Sequence, residues 1–79
     1  MSKLPQLITT KNCPKCKLIK EYMSQRNFTY EDLEAEKNMK LCRNLGILIA
    51  PTMLVHHENE IEQLIGFEAI QKFVDKYDK

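Results

Sequence analysis

Cys13-Pro14-Lys15-Cys16 is the stretch from which the expected fold of this chain is built. It follows an apolar run over residues 4–8 and precedes a segment with helical periodicity, so the two cysteines lie where a strand gives way to a helix. A C-x-x-C pair at such a junction is typical of a thiol–disulfide redox centre. Residues three apart share one face of a helix, at a separation compatible with a disulfide. The stretch therefore predicts a redox-active cysteine pair.

The first cysteine is expected at the N-terminus of that helix. Unpaired N–H groups and the helix dipole favour an anion there and lower the pKa of a thiol. Pro14 suits the first helical position, because an N–H at that position would have no partner within the helix. Lys11 and Lys15 add positive charge nearby. By the chemistry of thiol–disulfide exchange, Cys13 is then the attacking thiolate and Cys16 the resolving thiol.

Composition narrows the class of protein. A chain of 79 residues is expected to form one domain over residues 1–79, with a modest core. Its 12 basic residues against 11 acidic ones give a net charge of +1, which does not favour a nucleic-acid partner. The apolar runs are far shorter than the roughly 20 residues of a membrane span, and residues 1–6 lack the apolar core of a signal peptide. Three cysteines, an odd number, are unlike a secreted disulfide scaffold. A cytoplasmic protein without a membrane partner is expected.

The spacing of apolar residues predicts seven elements. Their order is βαβ, then α, then ββα. The first βαβ unit implies two parallel strands with a right-handed crossover, and the later pair of strands implies an antiparallel hairpin. The predicted fold class is α/β, a four-stranded mixed sheet with helices on both faces. The strands are expected over 4–9, 28–33, 52–55 and 61–65, and the helices over 14–25, 38–45 and 68–77.

This order, with C-x-x-C opening the first helix, resembles the glutaredoxin branch of the thioredoxin superfamily over nearly the whole chain. Cys13-Pro14-Lys15-Cys16 resembles the glutaredoxin Cys-Pro-Tyr-Cys centre. Ile49-Ala50-Pro51-Thr52 resembles the segment where this superfamily keeps a cis-proline facing the active site. Gly66-Phe67 resembles the glycine turn ahead of the terminal helix. The resemblance implies a small dithiol redoxin of thioredoxin-like fold that reduces protein or small-molecule disulfides.

The resemblance also implies a substrate site and a reductant. Substrate contacts around Cys13 and Cys16 are expected from Lys11, Pro14, Lys15, Ala50, Pro51, Gly66 and Phe67. No cofactor is expected to be bound. The expected state is a monomer, its partners are disulfide-containing proteins, and its reductant is glutathione or an NADPH-linked thioredoxin reductase. Glutathione-using members usually have Gly-Gly followed by acidic residues at the last turn, whereas this chain has Gly66-Phe67-Glu68. That turn is more similar to small redoxins that serve ribonucleotide reductase and are recharged by thioredoxin reductase.

Two alternatives to redox chemistry involve a metal. A structural zinc site would need two ligands besides the C-x-x-C, and the candidates are Cys42, His56 and His57. A thioredoxin-fold binding module could instead hold a metal or an iron–sulfur cluster between protomers, although cluster-binding glutaredoxins usually have a Cys-Gly-Phe-Ser motif that is absent here. Cys42 is expected to be a buried small hydrophobe on the second helix, and the two histidines to be solvated turn residues.

Overall fold

The computed structural model describes residues 4–77, and over those residues the predicted element order is confirmed. Residues 1–3 and 78–79 of the expected 1–79 domain lie outside the described part of the chain. None of the helices in that part is both long and apolar enough to cross a membrane. The elements are strands β1 (Gln6–Thr9), β2 (Glu31–Glu34), β3 (Thr52–His56) and β4 (Ile61–Ile65), helices α1 (Pro14–Gln25), α2 (Met39–Leu45) and α3 (Phe67–Tyr77), and a short 3-10 turn (Ala35–Lys37).

The four strands form one mixed sheet in the order β2-β1-β3-β4. β1 runs parallel to β2, as a βαβ unit requires, and antiparallel to β3. β3 and β4 form the expected antiparallel hairpin, in which Leu54 is paired with Gln63. The C-terminal end of β1 and the N-terminal end of β3 lie side by side, because these neighbouring strands are antiparallel. The loops that leave β1 and enter β3 are therefore at the same end of the strands. This topology brings the cysteine pair and the Pro51 segment together.

Helices cover both faces of the sheet, as predicted. On one face, alternate strand residues pack against α1 and α3 and form the main core, which consists of Leu7, Ile19, Met23, Met53, Val55, Ile70 and Val74. On the other face, Ile8 and Leu54 are also buried. The Gln63 side chain, which shares that second face with Leu54, donates a hydrogen bond of 2.8 Å to the Leu45 carbonyl at the end of α2. This bond attaches α2 to the face opposite α1 and α3.

The first residues of two strands differ from those predicted, and both differences have a backbone cause. β1 begins at Gln6 because Pro5 has no N–H to donate, although its carbonyl accepts a 2.8 Å bond from the Glu31 amide. β2 begins at Glu31 and not at Phe28. The Phe28 amide donates to the Met23 carbonyl at 3.0 Å, and Asn27 has a positive φ of 54°, so these residues close the C-terminus of α1.

The second helix is less buried than predicted. It ends where expected, at Gly46, whose φ of 67° is in the left-handed region. However, none of its residues is fully buried, and Met39 is 54% exposed. Cys42 is half-buried and unpaired, which corrects the expectation of a buried cysteine. The cause is the length of α2: seven residues make two turns, too few to close over the sheet.

The two histidines lie in different environments, only one of which was predicted. His56 is the last residue of β3 and not part of the turn; its Nε2 lies 2.7 Å from Oε1 of Gln6, on the neighbouring strand. His57 does lie in the exposed turn, where its ring pairs with Glu62 at 3.0 Å. Among the residues the structure describes, no three His, Cys, Asp or Glu side chains are grouped as metal ligands.

Candidate active site

The two cysteines form a disulfide at the N-terminus of α1. Their Cα atoms are 5.2 Å apart. Cys13 has extended backbone and is the N-cap residue, and Pro14 is the first residue of the helix. Cys13 is half-buried, whereas Cys16, one turn into the helix, is only 3% exposed. An incoming disulfide can therefore reach the sulfur of Cys13 more readily than that of Cys16.

Backbone amides converge on the first cysteine. The Cys16 amide nitrogen lies 3.1 Å from Cys13 Sγ, and the amides of Cys16 and Lys17 also donate to the Cys13 carbonyl, at 3.1 and 3.2 Å. The first turn of α1 contains no acidic residue. Cys13 Sγ thus occupies the position of a capping acceptor, where N–H groups and the helix dipole stabilise negative charge. Once the disulfide is reduced, this geometry favours a thiolate on Cys13.

The segment before β3 lies against Cys13. The Ala50–Pro51 peptide bond is cis, as the family resemblance implied, and Pro51 is buried. The carbonyl oxygen of Ala50 lies 3.7 Å from Cys13 Sγ. The buried Thr52 hydroxyl donates to the Ile49 carbonyl and so holds the segment from its other end. Ala50 and Pro51 are thereby placed beside the sulfur that an incoming disulfide would reach.

The glycine turn after β4 contacts the same segment. The Gly66 amide donates a 2.9 Å hydrogen bond to the Pro51 carbonyl, and Gly66 has a φ of 91°, which favours glycine. Phe67, the next residue, is half-buried and packs on the core, with its ring edge-on to that of Tyr22. Of the two residues predicted in this turn, Gly66 therefore lies near the disulfide through Pro51, while the Phe67 ring belongs to the core.

Basic side chains surround the cysteine pair on the α1 side. Lys11 and Lys17 are exposed and, with Asn12, Cys13 and Pro14, line a cleft of about 360 Å³. Lys15 is also exposed, but it lines neither this cleft nor the one described next. The predicted contacts Lys11 and Pro14 thus line the same cleft as Cys13, whereas Lys15 does not.

Exposed apolar side chains occur in the segments that adjoin Pro51 and Gly66. Leu48 is 95% exposed, and Ile49, directly before Ala50, is 57% exposed. Ile65, which precedes Gly66 and is paired with Thr52, is 54% exposed. Cys13 therefore has basic side chains in its cleft, and the segments that flank Pro51 and Gly66 carry exposed apolar side chains.

A second cleft, which sequence reasoning did not anticipate, reaches the inner cysteine. It has a volume of about 230 Å³ and contains an ion pair between Lys20 Nζ and Asp32 Oδ2 at 2.7 Å. The buried Thr9 hydroxyl donates to Asp32 Oδ1 at 3.1 Å. A signal was present for Lys20, because it lies four residues after Cys16 and so on the same helix face. The cleft is lined by Thr9, Thr10, Lys11, Cys13, Cys16, Lys17, Lys20, Asp32 and Glu34.

Thioredoxins are among the solved structures similar to this chain. The solution structure of oxidised thioredoxin from Plasmodium falciparum is 17% identical, with a TM-score of 0.73, over 95% of this chain and 80% of that one. The Malassezia sympodialis thioredoxin Mala s 13 is 13% identical, with a TM-score of 0.74, over 95% and 74%. A crystal structure of Plasmodium falciparum thioredoxin is 25% identical, with a TM-score of 0.67, over 92% and 69%.

No protein-family model matches the chain, and no curated protein matches it. The likeness to solved structures extends over nearly the whole chain, and it shows a thioredoxin-like fold. The expected fold is therefore confirmed. The comparisons do not single out the glutaredoxin branch that the sequence resembles.

Proposed function

We propose that this protein is a thiol–disulfide oxidoreductase that uses Cys13 and Cys16 as its redox pair. The observation that carries the proposal is the disulfide at the start of α1. Cys13 Sγ accepts a hydrogen bond from the Cys16 amide, whereas Cys16 itself is buried. An accessible thiolate next to a shielded second thiol is what disulfide exchange requires. The thioredoxin-like fold of the chain is consistent with this chemistry.

The reaction follows from this geometry in two exchanges. The Cys13 thiolate attacks one sulfur of a substrate disulfide, the substrate S–S bond breaks, and the first substrate sulfur leaves as a thiolate. Cys16 then attacks Cys13 Sγ, the mixed disulfide breaks, and the second substrate sulfur leaves. The substrate gains two electrons, and the Cys13–Cys16 disulfide forms. An external thiol reductant restores the dithiol and completes the cycle.

We infer further that the protein is a glutaredoxin-type redoxin for protein or small-molecule disulfides, and that it can donate electrons to enzymes such as ribonucleotide reductase. The support is the C-P-K-C sequence and the small size of the chain. The mixed basic and apolar surroundings of Cys13 suit a polypeptide substrate.

A thioredoxin reductase is proposed as the reductant in preference to glutathione. The Gly66 amide is already bonded to the Pro51 carbonyl, so it cannot hold a carboxylate of glutathione. The Phe67 ring packs on the core, and the exposed Glu68 adds like charge at the same turn. Lys11 beside Cys13 favours an anionic substrate and is the feature that would most help glutathione.

The cysteine roles are tested by trapping the mixed disulfide. Cys16→Ser should accumulate a covalent adduct with a disulfide substrate such as insulin, because the resolving thiol is absent. Cys13→Ser should form no adduct through Cys16, which is 3% exposed. Both variants are made with Cys42→Ala, so that the half-buried third thiol does not contribute. Adduct formation by Cys13→Ser but not by Cys16→Ser would reverse the assignment, and adduct formation by neither would disprove the function.

The reductant is tested by coupled turnover. Oxidised protein is supplied with NADPH and thioredoxin reductase in one assay, and with glutathione, glutathione reductase and NADPH in the other. Faster turnover is expected in the first assay. Efficient turnover with glutathione alone would make the protein an ordinary glutathione-dependent redoxin. Metal analysis of the purified protein tests the alternative of a metal- or cluster-binding module.

A further inference from the structure

β4 is an edge strand, and among residues 4–77 no strand pairs with its outer side. The hydrogen bonds at the two ends of the β3–β4 hairpin show which of its backbone groups point outward. The His57 amide donates to the Glu60 carbonyl at 2.8 Å, and the Gly66 amide donates to the Pro51 carbonyl at 2.9 Å. Hydrogen-bonded and non-bonded pairs alternate along an antiparallel ladder. The residues of β4 whose N–H and C=O groups point away from β3 are therefore Ile61, Gln63 and Ile65.

The side chains of these three residues share the sheet face on which α2 lies. The Gln63 side chain is bonded to the Leu45 carbonyl at the end of α2. The isoleucines on either side of it are not covered, since Ile61 is 41% and Ile65 is 54% exposed. An open edge with unpaired backbone groups and exposed β-branched side chains is a template for a further strand.

A second copy of β4 fits this edge in one antiparallel register, with a two-fold axis at Gln63. Ile61 then lies opposite the partner's Ile65, which makes an apolar cross-strand pair at each end. All the outward backbone groups are paired, with about six hydrogen bonds. Glu62 lies opposite the partner's Leu64, so that no two charges are directly opposed. An axis at Glu62 would instead oppose two carboxylates and leave about four hydrogen bonds.

We propose that this chain associates with a second copy of itself through antiparallel pairing of the two β4 strands, centred on Gln63. The net charge of +1 on each copy adds little repulsion. A pair of five-residue strands buries less than the roughly 1,200 Å² of a standard interface, so the dimer should be weak, with a Kd of about 0.1–1 mM. The expected monomer is then in equilibrium with this dimer.

The pairing also adds a side chain next to the disulfide site. Ile65 is paired with Thr52, the residue after Pro51, and it precedes Gly66. The partner's Ile61 would therefore lie beside Ile65 and extend the exposed apolar surface that a polypeptide substrate meets. This consequence rests on the proposed function, whereas the association itself does not.

The association is tested by sedimentation equilibrium of the oxidised protein up to about 1 mM, with Cys42→Ala to prevent disulfides between copies. The average mass should rise with concentration towards that of a dimer. Ile65→Lys should raise the Kd at least about tenfold, because it places an ammonium against the partner's Ile61. Leu18→Lys is the matched control, since Leu18 is equally exposed at 54% but lies on α1; its Kd should change less than about twofold.

Exchange of backbone amides with water, measured by NMR, identifies the surface that pairs. Between about 0.05 and 1 mM protein, exchange of the outward amides of Ile61, Gln63 and Ile65 should slow about two- to fivefold. The amides of Glu62 and Leu64 already face β3 and should change little. This measurement decides alone if Ile65→Lys does not fold.

Three results would overturn the proposal: a constant mass of one chain up to 1 mM, an equal effect of both lysine substitutions, or no slowing of the three outward amides. Slowing that occurs only when a disulfide-trapped substrate is added would assign the edge to the substrate and also overturn it. None of these measurements uses turnover. Failure here therefore leaves the mixed-disulfide test of the proposed function unaffected, and failure of that test leaves the association intact.

Discussion

Reduction of the Cys13–Cys16 disulfide should change the stability of this protein only slightly, because two effects oppose each other. The disulfide closes a very short loop, with a sequence separation of 3. The chain-entropy estimate for a loop of that size is about 1.5–2 kcal/mol in favour of the oxidised form at 25 °C. In the reduced form, the Cys16 amide and the dipole of α1 stabilise the Cys13 thiolate. Capping and dipole effects of this kind are together worth about 1 kcal/mol.

The oxidised form should therefore be more stable by about 0.5–1 kcal/mol near neutral pH. For a chain of 79 residues the unfolding entropy is about 0.17 kcal/mol/K, so Tm should fall by about 3–6 °C on reduction. The difference in Tm between the oxidised and reduced forms should depend on pH. A thiol whose pKa is lower in the folded state contributes stability that is complete above the unfolded thiol pKa of about 8.5 and is lost as pH falls through the folded pKa. The Tm difference should thus widen as the pH falls.

Calorimetry or thermal circular dichroism with and without a thiol reductant measures this difference. Cys16→Ser is the matched control, because it cannot form the disulfide and its Tm should not respond to the reductant. Comparison of Cys13→Ser with Cys13→Ala isolates the capping contribution, which should be about 1 kcal/mol in favour of serine. A fall in Tm of more than about 12 °C on reduction, which is the full loop-closure value, would refute the stabilised thiolate.

Three further predictions concern the rest of the molecule. Cys42→Ala should lower the free energy of unfolding by about 1 kcal/mol or less, because the side chain is only half-buried in α2. The variant should keep full activity per folded molecule, and loss of most activity would reveal a third functional thiol. Ile19→Ala should lower the free energy of unfolding by about 2–5 kcal/mol, out of an expected total of about 4–12 kcal/mol, because Ile19 is fully buried. In the same denaturant titration, Leu18→Ala should lower it by about 0.5 kcal/mol or less, because Leu18 is exposed. The Tyr22 pKa is raised by its hydrogen bond to Asp75 and the Tyr30 pKa by burial, so in the folded protein these two side chains should form tyrosinate above the ordinary pKa of 10, as measured by absorbance in a Tyr77→Phe background. Since folding favours these neutral phenols, stability should decline as pH rises past 10, and Tyr22→Phe should remove part of that decline; an unshifted titration would contradict both the Tyr22–Asp75 hydrogen bond and the burial of Tyr30.

The fold could be predicted from the sequence wherever local pattern and backbone chemistry agreed. Pro14 at the first helical position and the apolar spacing of α1 predicted that helix over the bounds observed. Gly46 predicted the end of α2 because it alone allows the left-handed conformation at low cost. Tertiary packing overrode local pattern at Phe28, which alternates with Tyr30 like a strand residue. Its ring packs edge-on against that of Phe73, while its amide closes α1.

The cysteine pair of the candidate site could be predicted from the sequence, whereas the position of the Asp32 carboxylate could not. The motif itself marks Cys13 and Cys16, and the family resemblance led to Pro51. The carboxylate of Asp32, which lines the same cleft as Cys16, comes from β2, and its position depends on the parallel register that pairs Leu7 with Asp32. Such a register is set by the whole βαβ unit and is not written in any local spacing. For the same reason, nothing local showed that the Gly66 amide would be bonded to the Pro51 carbonyl.

The order of strands in the sheet also bears on aggregation. β2 lies at one edge of the sheet, and three of its four residues are acidic, namely Glu31, Asp32 and Glu34. An exposed edge presents unpaired backbone groups that can template the addition of another chain. A second copy adding to this edge through its own β2 would bring carboxylates against carboxylates, which is unfavourable for cross-strand pairs. The acidic residues of β2 thus disfavour association of two copies of this chain through their β2 strands.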